Sequence, residues 1–353
     1  MTGPSHLEMS FIAVCVVLFA SLGGTLWNQS GDTNSSPIAQ SEKVNVFEQN
    51  KRLGRGVNVL GYDPIWKSKS EGRFQEEHFK LLHDAGFNHV RINLHPFRDA
   101  KAGGKVDDDY WQLLDRTIQQ ALNHQLAAIL DFHEFMEMAK DPASKHDRFL
   151  AVWKRIAHRY QDAPSSVFFE ILNEPNEDLT PELWNRFLRD ALSIIRETNP
   201  NRTVIIGPAQ WNNIDLLEKL DLPEKDQNII VTVHYYKPFE FTHQGTPWTG
   251  LKDKTGVPWN GNEQELQAMS RDFEKAQAWA KKHNRPLYLG EFSAYEKADM
   301  PSRVRYVNSV ARQAEKMGWS WAYWQFDSDF ILYDIPNHRW IEPIRDALIP
   351  PKK

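Results

Sequence analysis

From Arg55 onward the chain repeats one pattern: a short apolar run that reads as a strand, then a longer stretch with apolar residues at three- and four-residue steps. Strand-like runs fall at residues 56–60, 89–94, 127–133, 167–174, 203–207, 229–236, 286–292 and 319–326. Helical patterns fall between and after them, at 75–85, 109–124, 145–160, 181–198, 215–220, 263–283, 301–317 and 342–348. The clearest stripe is Trp184, Phe187, Leu188, Ala191, Leu192 and Ile195, with a start signal at Thr180-Pro181-Glu182 and a stop at Asn199-Pro200. Parallel strands need crossover connections, so this alternation leaves few folds. Eight units in about 300 residues predict an α/β fold, a closed (β/α)8 TIM barrel in a single domain. A doubly wound open sheet is the alternative, but no Gly-rich phosphate loop follows the first strand.

The barrel is expected over residues 42–353, with residues 1–41 set apart as a signal peptide or membrane anchor plus linker. Residues 11–27 are nearly uninterrupted apolar, at the lower edge of what spans a bilayer, and a polar linker follows. No Lys or Arg precedes them, which leaves orientation open. The expectation is a secreted or periplasmic domain, membrane-associated through residues 11–27 if that segment is retained. Cys15 is the only cysteine, so no intramolecular disulfide forms. A net charge of −5 argues against nucleic acid as a partner. The 13 Trp, 10 Tyr and 19 Phe exceed the needs of a core, and surplus aromatics line clefts that stack flat, weakly charged ligands such as sugar rings.

Active sites of such barrels form at the carboxyl ends of the strands, and the polar residues collect there. The fourth run, Phe168-Phe169-Glu170-Ile171-Leu172-Asn173-Glu174-Pro175, breaks from apolar to polar at Asn173-Glu174, and the seventh does so at Glu291. A carboxylate at the tip of an apolar strand is costly to desolvate, so it is paired or used. That Glu174 only caps the next helix is the plainer alternative. Asn58 lies on the first run and Arg91, Asn93 and His95 on one face of the second. The third ends Asp131-Phe132-His133-Glu134, the sixth His234-Tyr235-Tyr236, and the eighth carries Trp324. No second His follows His133-Glu134 at helical zinc spacing, and no nucleophile elbow, Walker loop or catalytic Cys is present. Two carboxylates with aromatic walls, no metal and no cofactor fit glycoside hydrolysis best.

With these residues in this order, the chain resembles glycoside hydrolase family 5, the cellulase-type barrels, over roughly residues 50–345. The resemblance rests on Gly56-Val57-Asn58, Val90-Arg91-Ile92, Asp131-Phe132-His133, Asn173-Glu174-Pro175, His234-Tyr235-Tyr236, Gly290-Glu291-Phe292 and Trp324. It implies Glu174 as general acid/base and Glu291 as nucleophile, with Asn173 on the sugar 2-hydroxyl. It implies that Arg91 and Tyr236 hold the nucleophile ionised, that His133 and His234 bind sugar and support the acid, and that Trp324 lies under the reacting ring. Asn176 and Ser293 depart from the family's usual His and Gly; neither removes a catalytic group.

The scheme is a retaining double displacement, with opposite tuning of the two carboxyls: Glu291 ionised beside Arg91 and Tyr236, Glu174 protonated by burial. Residues 237–262 form a long connection rich in Phe239, Phe241, His243, Gln244, Trp248 and Trp259, of the kind that shapes a substrate cleft. Asn58, Arg91 and Trp248 are expected among the substrate-binding residues, Trp211 on the cleft, Trp111 in the core, and Tyr62 and Trp66 at distal subsites. The expected partner is a β-linked polysaccharide or oligosaccharide, and a monomer is expected. An endo-β-1,4-glucanase is the first reading. A β-mannanase, a β-1,3-glucanase, an exo-β-glucosidase-like enzyme and a non-catalytic glycan-binding barrel are the alternatives.

Overall fold

The computed structural model describes residues 45–67, 69–97 and 106–351. The expectations for residues 1–41 lie outside the described residues. Eight parallel strands close into a barrel: β1 Arg55–Val59, β2 His89–Leu94, β3 Ala127–Phe132, β4 Val167–Glu170, β5 Val204–Ile206, β6 Ile229–His234, β7 Leu287–Glu291 and β8 Ser320–Tyr323. β8 returns to β1 through the pairs Arg55↔Trp321, Gly56↔Ala322 and Val57↔Tyr323, so the sheet has no edge.

The crossovers carry the expected helices. Pro181–Thr198 matches its predicted bounds, starts with Pro181 in the first turn and Thr180 Oγ1 accepting from Leu183 N, and buries the stripe from Trp184 to Ile195. Glu263–His283 begins with a reciprocal capping box between Asn262 and Glu265 and ends on left-handed Asn284. After β5 the predicted helix is instead a 3-10 segment, Ile214–Lys219, preceded by left-handed Gln210, Trp211 and Asn212. Among the described residues no helix is long and apolar enough to cross a membrane.

Two features differ from the pattern-based reading. Several strands are shorter than their apolar runs: β4 stops at Glu170, the last residue paired with β5, and the chain then turns through Glu174 at φ 40°. A helix that no pattern announced, Val46–Leu53, caps the amino-terminal end of the barrel. Its Val46 and Leu53 join Ile129, Phe168, Ile205, Ile230, Tyr288 and Ala322 in a closed apolar layer. Asn50 ties it down by donating to Leu287 O and accepting from Ser320 Oγ.

Above that apolar layer the interior turns polar. Asp131 and Glu170 lie two residues beyond Ile129 and Phe168 on β3 and β4, and with Asn58 of β1 and Arg91 of β2 they are fully buried. On β7, Gly290 leaves room for the layer above: a side chain there would start 2.6 Å from Thr232 Oγ1 and 2.9 Å from His234 Nε2. A shift in register at this point pairs His234 with Glu291 and sets both at the carboxyl rim.

Candidate active site

The centre of the site is one guanidinium. Arg91 Nε and Nη2 donate to the two oxygens of Glu170, each at 2.7 Å. Nη2 also donates to Asn173 Oδ1 at 2.8 Å, and Nη1 donates to Asn58 Oδ1 and Glu291 Oε1, both at 2.8 Å. All the hydrogens that an arginine head carries are thus committed.

Glu291 Oε2 accepts from the Tyr236 hydroxyl at 2.9 Å. Glu174 Oε1 lies 2.7 Å from His234 Nδ1, which is itself 3.6 Å from Glu291 Oε2. His234 Nε2 faces Asn212 Nδ2 at 3.1 Å, so the ring accepts there and turns its Nδ1 hydrogen toward Glu174. Taking one ligating atom from each of Glu174, His234 and Glu291, the three lie within 4.8 Å of one another.

Burial raises both carboxyls to about 7. Around Glu174 the charges of Asp131 and Glu170 add to burial and Arg91 opposes it. Around Glu291, His234, Arg91 and the Tyr236 hydroxyl oppose burial while Glu174 adds to it. The opposite tuning expected from sequence is therefore absent from the two values and present in the bonds. Two donors favour the charge on Glu291, whereas Glu174 meets only the neutral imidazole of His234, whose own pKa burial lowers. The shared proton belongs on Glu174.

Glu174, Glu291, His133, Asn173, Trp211, His234, Tyr236, Trp248 and Trp324 all line one cleft of about 720 Å³ at the carboxyl end of the barrel. Asn58 and Arg91, predicted to bind substrate, do not. They lie wholly buried one layer beneath, where they bind the carboxyl and amide groups that the cleft presents. His133 Nδ1 lies 2.6 Å from Asp131 Oδ2, and its ring stacks on Trp324 with centroids 5.3 Å apart and planes at 7°. Asn173, pinned through Oδ1, has a buried Nδ2 with no partner among the described residues.

The long connection divides. Phe239, His243 and Trp248 face the cleft, whereas Phe241, Gln244 and Trp259 are buried, Phe241 and Trp259 against the ring of Tyr306 on the helix Met300–Lys316. Gln244 holds the connection closed, donating to Val257 O at 2.7 Å and accepting from Val257 N at 3.0 Å. Tyr62 reaches the cleft and meets Trp324 edge-on, but Trp66 is buried against Tyr110 and is not among the described residues that line the cleft. Trp111 is in the core, as expected. Sequence reasoning passed over Glu170, Asn212, Met136 and Phe330. Of these only Glu170 left a signal, a charge inside an otherwise apolar strand.

The model of the cellulase family, glycosyl hydrolase family 5, matches residues 47–329. The chain belongs to glycosyl hydrolase family 5. Among similar proteins, endoglucanase H of Acetivibrio thermocellus is 29% identical over 90% of this chain and 35% of its own length. Endoglucanase 3 of Fibrobacter succinogenes is 28% identical over 84% of this chain and 53% of its own. The chain thus spans about a third and about half of those two relatives. Among solved structures, endoglucanase Cel5A of Thermotoga maritima is 43% identical, with a TM-score of 0.82 over 87% of this chain and all of that one. The cellulose synthase subunit Z of Clostridioides difficile is 36% identical, with a TM-score of 0.79 over 84% of this chain and 99% of that one.

Proposed function

We propose that the protein is a retaining endo-β-1,4-glucanase that cleaves β-glucan by double displacement. The observation that carries this is the approach of Glu174 and Glu291 to within 4.8 Å. Retaining glycosidases keep their carboxyls about 5–5.5 Å apart, and inverting ones about 6.5–9.5 Å to admit a water. Glu291, ionised beside Arg91 and Tyr236, attacks the anomeric carbon while Glu174 protonates the departing oxygen. The sugar is then held as an ester of Glu291. Glu174, now a carboxylate, takes a proton from water, and that water releases the sugar and frees Glu291.

Asn173 Nδ2 is the donor for the 2-hydroxyl, and the Trp324–His133 stack supports the reacting ring. The half-exposed rings of Tyr62, Trp211, Phe239 and Trp248 on the cleft favour a chain over a single sugar. A second reading, β-mannan, has its own support: Thermotoga maritima Cel5A, 42% identical, has structures with cellobiose and with mannotriose. Reducing-sugar release from carboxymethylcellulose, barley glucan, mannan and laminarin separates the readings. Release from the first two is expected, and Glu291→Ala should reduce it at least about 10³-fold. A Glu291→Ala protein of near-native activity removes the assignment.

We place this activity outside the cytoplasm, on the strength of the apolar residues 11–27 and the polar linker after them. Fractionation of cells expressing the full chain, with and without residues 1–41, tests it. Cytosolic recovery of the full chain would contradict it.

A further inference from the structure

We propose that Glu170 is a positioning residue for this reaction: it locks the plane of Arg91 and takes up part of its charge, and through that guanidinium it aims Glu291 and Asn173 together. The proposal rests on the reading of Glu291 as nucleophile. Glu170 occupies one whole edge of Arg91, with both oxygens accepting at 2.7 Å. Such a fork fixes a planar group in a way that a single bond cannot. The remaining hydrogens then point in set directions, to Asn58 Oδ1, Glu291 Oε1 and Asn173 Oδ1. Because Asn173, a residue of the cleft lining, is held through its oxygen, its nitrogen is the end left without a partner among the described residues. One rigid group thereby sets the nucleophile and a sugar-binding amide in register, and Glu170, fully buried on β4, is what keeps it rigid.

Charge makes the same link. Facing Arg91 are Glu170 from β4, Asp131 from β3 and Glu291 from β7. Asp131 Oδ1 lies 3.2 Å from Nη2 but receives no hydrogen, since Arg91 has none left to give. Its other oxygen is held by Asn93 and His133. Glu174 and the neutral His234 and His133 complete the upper layer, with the Tyr236 hydroxyl on Glu291. Below lie His89 and Tyr288, bonded to each other at 3.0 Å. β5 and β8 contribute only Ile205 and Ala322 to the interior apolar layer. A single cation therefore serves several carboxylates, and what Glu170 takes of its field is withheld from Glu291.

Two substitutions separate geometry from charge. Glu170→Gln removes the negative charge and half the fork, leaving Arg91 to act more fully on Glu291. The acid limb of kcat/KM against pH should move down by about one pH unit, the lower end of what a charge at this range does. Turnover should fall about tenfold as the plane loosens. Glu170→Asp keeps the charge but cannot reach both nitrogens, so turnover should fall similarly with the acid limb in place. Both are measured on a soluble β-glucan, alongside a thermal melt. An unmoved acid limb in Glu170→Gln overturns the proposal, as does wild-type turnover in Glu170→Asp. If Glu170→Gln fails to fold, Glu170→Asp decides alone, and if neither folds Glu170 serves the fold only and the proposal is wrong. Absence of Glu291-dependent hydrolysis in the wild type is a different failure, that of the glycosidase reading, and it is seen before either variant is made.

Discussion

Two carboxyl groups held within 4.8 Å of each other in a buried layer resist being charged together, and this decides how the site responds to pH. Glu174 and Glu291 are each raised to about 7, chiefly by burial, and titrate as a pair. The competent form carries one proton, on Glu174. Acidification adds a second and neutralises the nucleophile, whereas alkali removes the first and leaves no acid. The profile of kcat/KM on a soluble glucan should be bell-shaped, with its arms on either side of about 7. A rate that climbs steadily across that range would contradict the assignment. The same shifts bear on stability. Each folded-state pKa stands above the unfolded value of 4.5, so the stability these groups contribute is complete below 4.5 and is lost as pH rises through about 7. Glu174→Gln keeps the shape and removes the charge. At about pH 8 it should therefore be more stable than the wild type by on the order of 2 kcal/mol, with the gain gone at about pH 4. Thermal unfolding at the two pH values checks this, and a lower melting temperature for the variant at the higher pH counts against it.

At the scale of elements, the barrel is closed from below by the helix Val46–Leu53, far from the cleft. Leu53 is fully buried, so Leu53→Ala should cost about 2–5 kcal/mol in a denaturant melt. The folded fraction should keep its turnover, and a large fall in kcat per folded molecule would show that the two ends are coupled. That helix also marks where the sequence stops being legible. Its buried residues are Val46, Gln49, Asn50 and Leu53, half of them polar, so no apolar stripe announces it. The strands were legible because apolar runs flanked by turns have few other uses. Their ends were not, since Ile171 and Leu172 stay buried after the ladder has stopped at Glu170. The site followed the same division. Glu174 and Glu291 stood out as charges ending apolar runs, whereas Glu170 was absorbed into its strand and Asn212 lay in a left-handed turn that no periodicity encodes. In the long connection, Trp248 and Trp259 are alike by type and face opposite ways, because loop geometry sets their direction.

For the whole molecule the question is whether the gap between the carboxyls is a property of the barrel or of two side chains. β4 and β7 stand three strands apart on the ring, and Glu174 and Glu291 approach from opposite sides of the interior. What spans the space beneath them is the polar layer of Asn58, Arg91, Asp131 and Glu170, with Arg91 bonded both to Glu291 and to Asn173, the neighbour of Glu174. Widening the gap enough for a nucleophilic water means breaking buried charge-assisted bonds, each worth more than an ordinary hydrogen bond and none compensated by solvent. The closed barrel therefore enforces the short spacing and with it the stereochemical course. Hydrolysis of a β-linked oligosaccharide should release the β-anomer first, followed by mutarotation, as read by proton NMR within the first minutes of reaction. Initial appearance of the α-anomer would mean that water attacks directly, and the nucleophilic role of Glu291 would have to be abandoned.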